Sequence, residues 1–362
     1  MRIGFDARMI THPGIGRYIG CLLPELVRQA PEHKFVVFGD PGKLGEVSRA
    51  GNIQVSSWDV PIYSVWEQIP PFRSFADIDL LHVPHFNIPL LFRKKMVVTI
   101  HDLIYLLLPE AVSSPMAKHY ASFMINSALK KAERVITVSN HTREDLLDVF
   151  GEQYSAKIKV IHEASGKNFQ RVNDKARIAD VRCRYRLSER IILYVGSVKP
   201  HKNIPTLLEV FARLKAWGVP HQLVICGRWD KKEEHLKDKI SDRHVRYLGE
   251  IPVEDLVTLY SIADVLVHLS LYEGFGLTVL EAMQCGVPVV VSDSSSLPEV
   301  AGTAAFVVSP HNLEQIADTV YNVLVNRQLR AGMIETGLEH AKRFSWSETA
   351  RQTLGIYRSV VR

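Results

Sequence analysis

The sequence contains few cysteines, no long apolar run and no large excess of either charge. Four cysteines occur among 362 residues, without the spacing of a zinc site or a disulfide framework: Cys21, Cys183, Cys226 and Cys285. Each has apolar neighbours, so we expect buried free thiols and a reducing, cytoplasmic location. No apolar run approaches the roughly 18 residues of a membrane-spanning helix, and the first residues, MRIGFDARM, lack the apolar core of a signal peptide. Any membrane contact should therefore be peripheral.

Charge is nearly balanced along the chain. Lys and Arg number 44 against 39 Asp and Glu, a net charge of +5, of which residues 1–170 carry +2 and the remainder +3. Because neither half is strongly basic, we expect no nucleic-acid partner. The hydrophobic content of 46% is ordinary for a globular protein, and 362 residues are too many for one typical core. Two domains are therefore expected.

Short apolar runs alternate with segments of helical periodicity along the chain. Arg2 to Asp6 predicts a strand at once, and the same alternation restarts at Arg190 to Val195. This pattern predicts an α/β fold with two doubly wound parallel sheets. The stretch from Glu163 to Leu187 is polar and irregular, so we place the domain junction there. The predicted divisions are 1–168, 169–345 and a terminal amphipathic helix over 346–362.

The most informative segment is YEGFGLTVLEAMQCGVPVVVSD, from Tyr272 to Asp293. Gly274 and Gly276 flank Phe275 and allow a ligand to approach main-chain N–H groups closely. Helical spacing begins at Leu277. A helix that starts directly after a glycine loop has free N–H groups and a partial positive charge at its N-terminus, which suits a phosphate.

Two carboxylates accompany this predicted phosphate site. Glu273 lies in the loop, and Glu281 lies about one turn into the predicted helix. Since two carboxylates beside a phosphate cannot both bind it, they fit better as acceptors for sugar hydroxyls. The alternatives are structural: Thr278 to Glu281 matches a capping box, and Glu273 is then a solvated loop residue. Ser296 to Glu299 matches a second capping box, with Ser296 as the cap.

A second glycine loop lies near the N-terminus. Gly14 and Gly16 follow the first predicted strand and precede a helical pattern from Arg17 to about Gln29, which together make half of a βαβ unit. The third glycine of the dinucleotide-binding fingerprint is missing. A plain tight turn is therefore the alternative to a phosphate-binding loop.

His101 and Lys202 stand at the ends of predicted elements. His101 follows the apolar run Val97 to Ile100, and ligands of parallel α/β sheets bind beyond the carboxyl ends of strands. It therefore fits a substrate hydroxyl, or it only caps a loop. Lys202 precedes a helix that begins at Asn203, where acidic residues are usual, so a bound anion would explain it. The alternative is a solvated lysine.

Four of these features coincide in order and spacing: the first strand with Gly14 and Gly16, His101 with Asp102 after a strand, Gly196 followed by His201, Lys202 and Asn203, and Glu273 eight residues before Glu281. Together they resemble the retaining glycosyltransferases of family 4. That family has the GT-B architecture, in which two Rossmann-like domains face each other across a cleft and a C-terminal helix packs back toward the N-terminal domain. The resemblance implies that residues 1–168 form the acceptor-side domain and that residues 169–345 bind the nucleotide sugar. The resemblance covers nearly the whole chain, and LYEGFGLTVLEAMQCGVPVV is similar to the mannosyltransferase-like branch.

The resemblance implies a role for each candidate. Glu281 should bind the ribose of a nucleotide sugar, and the catalytic residues should be Glu273 and His101 at the transferred sugar and Lys202 at the diphosphate. The other implied donor contacts are Gly14 and Gly16 at the diphosphate, Gly274, Phe275, Gly276 and Leu277 at the sugar and diphosphate, and Ile251 beside the base. One position departs from the family pattern, because an expected arginine is Ser197 here. Arg228 is then the candidate for the missing guanidinium.

The implied activity is transfer of a hexose, mannose from GDP-mannose, to a lipid-linked or growing glycan of a surface polysaccharide such as O-antigen. The implied reaction retains the anomeric configuration and needs no metal. Open alternatives are a UDP-sugar donor, an inverting transferase, an epimerase of the same fold, and an inactive nucleotide-sugar-binding subunit of an assembly complex. The expected location is the cytoplasm, with the inner face of the plasma membrane as an option. Two small basic clusters suit anionic lipid or are merely solvated: Arg93, Lys94 and Lys95, and Lys130, Lys131 and Arg134.

Overall fold

The computed structural model describes residues 1–45, 51–69, 72–108, 115–240 and 243–361. The chain divides into two compact units. Unit 1 consists of Met1–Ala164 together with Phe344–Arg362, and unit 2 consists of Ser165–Arg343. The junctions thus follow residues 164 and 343, where the sequence pattern suggested 168 and 345.

Unit 1 contains a seven-stranded, wholly parallel sheet with the strand order β3-β2-β1-β4-β5-β6-β7. Its strands are nearly continuous apolar runs because helices cover both faces. The strands are β1 (Arg2–Asp6), β2 (Lys34–Gly39), β3 (Ile53–Ser57), β4 (Leu80–Val83), β5 (Lys95–Ile100), β6 (Arg134–Thr137) and β7 (Ile158–Val160). The helices before the junction are α1 (Ile15–Gln29), α2 (Phe72–Ala76), α3 (Ile104–Leu107), α4 (Pro115–Lys131) and α5 (Asn140–Phe150).

Unit 2 repeats this plan with a six-stranded parallel sheet in the order β10-β9-β8-β11-β12-β13. The strands are β8 (Ile191–Val195), β9 (Gln222–Cys226), β10 (Val245–Gly249), β11 (Val265–His268), β12 (Val289–Ser292) and β13 (Phe306–Val308). The helices are α6 (Lys175–Tyr185), α7 (Ile204–Ala216), α8 (Lys237–Ile240), α9 (Val253–Ile262), α10 (Leu277–Gln284), α11 (Leu297–Ala301), α12 (Leu313–Val325) and α13 (Arg327–Ala341). The predicted α/β class with two doubly wound sheets is therefore confirmed.

The strand order creates a switch point in each sheet. The chain leaves the first strand of each unit toward one side and later returns on the other side, so β1 and β4 are neighbours in unit 1, and β8 and β11 in unit 2. The connections diverge there, which leaves a crevice beyond the carboxyl ends of the two strands. These two crevices are the places where the fold itself favours ligand binding.

The last helix, α14 (Trp346–Val361), belongs to unit 1 and packs against α1. A fully buried polar chain anchors it. The Tyr357 hydroxyl lies 2.5 Å from His82 Nδ1, His82 Nε2 lies 2.8 Å from Thr99 Oγ1, and that oxygen lies 3.1 Å from the Tyr18 hydroxyl. Burial lowers the pKa of His82 to about 3, so its ring is neutral and bonds with one nitrogen as donor and the other as acceptor. The prediction that the terminal helix packs back on the first domain is confirmed.

Several local predictions were wrong. The stretch from Glu163 to Leu187 contains α6, whose first N–H groups are capped by Asp174. Only Val181 of that helix is buried, so its sequence carries no apolar stripe. Cys183, on the same helix, is exposed and Cys21 is partly exposed, whereas Cys226 and Cys285 are buried as expected.

Candidate functional site

The switch point of unit 2 is built from two loops. Gly196 and Ser197 follow β8, and the loop from Leu269 to Gly276 follows the neighbouring strand β11. The main chain joins the two sides, because the Leu271 N–H donates to the His201 carbonyl over 2.7 Å. The predicted residues Lys202 and Glu273, which are 71 positions apart, therefore meet in one crevice.

The loop before α10 is held by serines from the next connection. Ser296 Oγ donates to the carbonyls of Glu273, at 3.0 Å, and Phe275, at 2.8 Å, while the Glu273 N–H donates to Ser295 Oγ over 2.7 Å. Ser296 is the N-cap residue of α11, as predicted, but its hydroxyl holds this loop and does not cap the helix. The loop is thus fixed in place before any ligand binds.

Gly276 sets the start of α10. Its φ of 104° lies in the left-handed region that favours glycine, and a Cβ there would lie 2.9 Å from Leu297 Cδ2. The helix begins at Leu277, so the N–H groups of its first turn face the end of the loop, as a phosphate site requires. Thr278 lies inside the helix, and the alternative of a capping box that starts at Thr278 is wrong.

The Glu273 carboxylate is the centre of a dense hydrogen-bond cluster. Its Oε1 accepts from Lys202 Nζ at 2.6 Å, from His268 Nε2 at 2.7 Å and from Ser270 Oγ at 2.8 Å. Its Oε2 has no hydrogen-bond partner within the described ranges. Burial alone would raise the pKa of Glu273, but the Lys202 charge and the bond from His268 outweigh it and hold that pKa well below its usual range. The carboxylate is therefore ionised and has one oxygen left to accept.

Lys202 is largely buried and has a partner. It ends a short 3-10 turn, Pro200–Lys202, and Asn203, with a φ of 56°, is the N-cap residue of α7. The Lys202 and Glu273 side chains are each 14% exposed and form an ion pair. The anion that the sequence analysis expected near Lys202 is thus, in this structure, the side chain of Glu273. The alternatives of a solvated lysine and a solvated loop glutamate are both wrong.

His268 and Ser270 are parts of this cluster that the sequence analysis missed. The His268 ring stacks on Tyr194, with centroids 5.8 Å apart and an angle of 9° between the planes, and the Tyr194 hydroxyl donates to the Ser197 carbonyl at 3.0 Å. His268 therefore links the ends of β8 and β11 while it orients Glu273. His268 and Ser270 lie at the carboxyl end of a buried strand, directly before Glu273. This position in the sequence could have identified them as parts of the site.

Glu281 is wholly buried in α10. The Tyr260 hydroxyl donates to its Oε2 at 3.0 Å. Its expected contact with a ribose stays a prediction.

Three further predicted residues follow strands of the same sheet. Ser197 follows β8, Arg228 follows β9 and Ile251 follows β10, so all three lie at the carboxyl edge of the sheet. The Arg228 side chain is 63% exposed, and its Nε donates to Glu250 over 3.1 Å. Its use as a phosphate-binding guanidinium would require it to leave this pair.

The glycines of the first loop lie in unit 1, where they begin α1. Gly14 is the N-cap residue with a φ of 82°, and a Cβ there would meet nothing within 4 Å. Gly16 is different, because a Cβ at that position would lie 2.2 Å from the Ile10 carbonyl oxygen. The close packing of two backbone segments therefore requires Gly16 whether or not a ligand binds.

His101 follows β5 in unit 1, and both of its ring nitrogens have partners. Nδ1 lies 2.9 Å from Glu163 Oε1, and Nε2 lies 3.1 Å from the Pro84 carbonyl oxygen. The ring also meets the edge of Tyr18 at 4.8 Å between centroids. The position beyond a strand end agrees with the sequence reasoning, while its role toward a donor sugar stays a prediction.

The basic clusters are used largely inside unit 1. Lys94 donates to the Ala76 and Ile78 carbonyls, Lys95 to the Val360 carbonyl and Lys131 to the Leu90 carbonyl. Among the described residues, no helix is both long and apolar enough to cross a membrane. The same residues contain no group of three or more His, Cys, Asp or Glu side chains arranged to hold a metal ion. Membrane contact stays a prediction.

Two family models match the chain, one in each unit. Residues 13–164 match Glycosyltransferase Family 4, and residues 184–340 match Glycosyl transferases group 1. The Family 4 match begins just before Gly14, and the group 1 match contains Lys202, Glu273 and Glu281.

Individual relatives agree with these matches. The chain is 32% identical to O-antigen chain mannosyltransferase B of Escherichia coli over 292 residues, which cover 79% of this chain and 75% of the relative. It is 28% identical to O-antigen chain mannosyltransferase RfbU of Salmonella typhimurium over 306 residues, with 79% and 78% covered. Its fold is similar to that of Anabaena HepE in complex with UDP and glucose, at a TM-score of 0.76 and 20% identity, with 99% of this chain and 100% of that chain covered.

Proposed function

This chain belongs to glycosyltransferase family 4 and is a glycosyltransferase, and on that premise we propose that it transfers mannose from GDP-mannose to a lipid-linked or growing glycan in surface polysaccharide synthesis. The choice of mannose is supported by the two O-antigen chain mannosyltransferases to which the chain is similar. The switch point of unit 2 is the proposed donor site.

The observation that carries this proposal is the Lys202–Glu273 pair at the start of α10. The ion pair and the first-turn N–H groups of α10 place positive charge beside a carboxylate that has one oxygen free to accept. A nucleotide sugar presents the complementary groups, a diphosphate next to a ring of hydroxyls. Lys202 would turn toward the diphosphate, while Glu273 Oε2 would accept from a hexose hydroxyl. Glu281 is assigned to the ribose on the family resemblance.

In the proposed reaction, the bond between the sugar C1 and the donor phosphate oxygen breaks while the acceptor oxygen bonds to C1 on the same face. The acceptor proton passes to the departing phosphate oxygen, so the nucleoside diphosphate leaves and the anomeric configuration is retained. Lys202 and the α10 N–H groups stabilise the charge that develops on the leaving group. In this proposal Glu273 Oε2 accepts from a hexose hydroxyl while His268 and Ser270 still donate to Oε1, so the route is direct and has no glycosyl-enzyme intermediate.

A UDP-sugar donor is the second candidate. The supporting observation is that Anabaena HepE, whose fold is similar, has a structure with UDP and glucose. The charge cluster around Lys202 acts on the diphosphate, which both donor classes share. The base must therefore be determined by experiment.

Incubation of the purified chain with four donors tests the proposal: GDP-mannose, UDP-glucose, UDP-galactose and UDP-N-acetylglucosamine. The acceptors are octyl glycosides of the corresponding four sugars, mass spectrometry detects products, and NMR spectroscopy assigns their anomeric configuration. We expect α-mannosides from GDP-mannose, including in excess EDTA. Products from UDP-sugars alone would favour the UDP-sugar donor over GDP-mannose. A β-linked product would refute retention of the anomeric configuration. Bound GDP-mannose without any product would indicate an inactive binding subunit.

Lys202→Met tests the assigned role of the ammonium group. Methionine is unbranched and only one heavy atom shorter than lysine, but it removes the charge at the diphosphate, so we expect kcat to fall roughly 100- to 1,000-fold. Lys199→Met is the matched control, because Lys199 is exposed three residues earlier in the same loop. Equal kcat values for the two variants would refute the role of Lys202.

A further inference from the structure

The switch point of unit 1 contains a buried arginine that the proposed donor site does not use. Arg8 follows β1, its side chain is 3% exposed, and its guanidinium lies 3.6 Å from the centre of the Trp58 ring. Nε and Nη2 form a bidentate pair with Asp6, with distances of 3.0 Å from Nε to Oδ1 and 2.7 Å from Nη2 to Oδ2. Arg8 is therefore held rigidly at the carboxyl end of the strand, where the fold favours ligand binding.

Two polar atoms beside this pair are buried without hydrogen-bond partners among the residues that the structure describes. One is Arg8 Nη1, for which the nearest carboxylate oxygen, Oε2 of Glu67, is 3.7 Å away. The other is Asn87 Oδ1. The Nδ2 atom of the same side chain is paired, because it donates to both Glu67 oxygens at 3.0 and 3.2 Å. A strong donor and an acceptor are thus left unpaired, which a folded protein normally avoids.

Both residues line the same small cavity. Its volume is about 10 Å³, enough for a single oxygen atom with its hydrogen, and Asp6, Ile62 and His85 also line it. A hydroxyl group is the complementary occupant, because its oxygen accepts from Arg8 Nη1 while its hydrogen donates to Asn87 Oδ1. An ionised phosphate oxygen has no hydrogen to donate to Asn87, and the carboxylates of Asp6 and Glu67 would repel it. A cation would be repelled by Arg8.

The surroundings suit a sugar that carries this hydroxyl. The Tyr63 ring is 48% exposed and packs edge-on against His85, with centroids 5.9 Å apart, and against Tyr120, at 6.1 Å. An exposed ring beside buried hydrogen-bonding groups offers an apolar face to a pyranose. Burial, and after it the nearby His101, His12 and Arg8 side chains, hold the pKa of His85 well below its usual range, so His85 is neutral and does not add charge to the cavity.

We propose that Arg8 and Asn87 bind one hydroxyl of the acceptor sugar, with Tyr63 against the face of its ring. The inference rests on the proposed function and on the acceptor side that the family resemblance implies for the N-terminal domain. It adds the residues that recognise the acceptor sugar. Glu67 acts as a positioning residue, because it accepts from the Asn87 amide and from the Tyr120 hydroxyl at 2.8 Å.

The test uses whichever octyl glycoside the wild-type protein elongates, together with its mono-deoxy derivatives. Loss of the hydroxyl that binds Arg8 should lower kcat/KM roughly 10- to 100-fold, since it removes a hydrogen bond to a charged group. The other deoxy derivatives should change kcat/KM by less than about threefold, apart from the one that lacks the reacting hydroxyl and gives no product at all. If no non-reacting hydroxyl stands out in the wild-type protein, the inference is overturned without any variant.

Arg8→Lys then identifies the residue. Lysine can pair with Asp6 but lacks the forked guanidinium that binds Asp6 and a ligand together. In the wild type, the penalty is the factor by which kcat/KM falls when the acceptor lacks the hydroxyl that binds Arg8. In Arg8→Lys this penalty should fall to within about threefold. Arg28→Lys is the matched control, because the Arg28 side chain is 62% exposed and pairs with Glu25 of the same helix, and the change should leave the penalty unchanged. An Arg8→Lys variant that melts earlier but keeps the full penalty would show that the cavity holds only a structural water, and would overturn the inference. A wild-type protein that elongates no glycoside would overturn the proposed function itself.

Discussion

Replacing Glu273 with glutamine would remove a charge from unit 2 and keep the shape of the side chain. Lys202 Nζ lies 2.6 Å from this carboxylate, and each side chain is only 14% exposed. In Glu273→Gln, the Lys202 charge would stay largely buried without its partner. Loss of one partner from a buried pair costs about 3–5 kcal/mol, and the residual exposure reduces our expectation to about 2–3 kcal/mol of unfolding free energy at pH 7.

The pH dependence follows from the pKa of Glu273. The folded protein holds that pKa well below its ordinary value of 4.5. The ionised carboxylate therefore stabilises the folded state above pH 4.5, and this contribution is lost as the pH falls through the folded-state pKa. The difference in unfolding free energy between wild type and Glu273→Gln should be constant from neutral pH down to about pH 5 and shrink below that.

Urea unfolding of the full chain, followed by far-ultraviolet circular dichroism between pH 7 and pH 3.5, measures this difference. Urea is uncharged and does not screen the ion pair. Glu250→Gln is the matched control, because Glu250 pairs with Arg228 on the surface and its loss should hardly change the stability. Equal effects of the two substitutions, or a difference that does not change with pH, would refute the reasoning.

Three further substitutions test other parts of the structure. Gly16→Ala would force a methyl group against the Ile10 carbonyl oxygen and should lower the unfolding free energy by about 1–3 kcal/mol in urea titrations; an unchanged midpoint would contradict this packing. Tyr357→Phe leaves a buried nitrogen of His82 unpaired and should cost about 1–3 kcal/mol, measured as a lower melting temperature; an unchanged melting temperature would contradict the anchoring role of this hydroxyl. Glu281→Gln should raise the KM for the nucleotide sugar roughly 10- to 100-fold if this carboxylate binds the ribose, and an unchanged KM would leave it a structural role only.

The strands could be predicted because most are compact apolar runs. β11 and β12 are buried along their whole length, so their composition alone marks them. The edge strand β3 is partly exposed throughout and does not form such a run, which explains why the sequence analysis missed it. Helix α6 was missed for a related reason, because it buries a single residue and has no apolar stripe.

The candidate site was predictable only to the level of its elements. The parallel strand order brings the ends of β8 and β11 together. That Lys202 and Glu273 belong to one donor site was implied by the family resemblance, because the alternation of strands and helices alone does not give the strand order. The direct ion pair between them did not follow, since it depends on side-chain conformations. The same holds for Arg8 and Asn87, because their unpaired atoms arise from packing at the ends of two different strands and no periodicity records them.

The return of α14 to unit 1 has a consequence for the order in which the protein is made. Unit 1 needs Tyr357 to complete the buried chain through His82, Thr99 and Tyr18, yet that residue is translated after every residue of unit 2. Unit 1 therefore cannot reach its final packing until the last helix has been made, although all seven of its strands are translated before unit 2. The first half of the chain is thus fully folded only after the final helix has packed against α1.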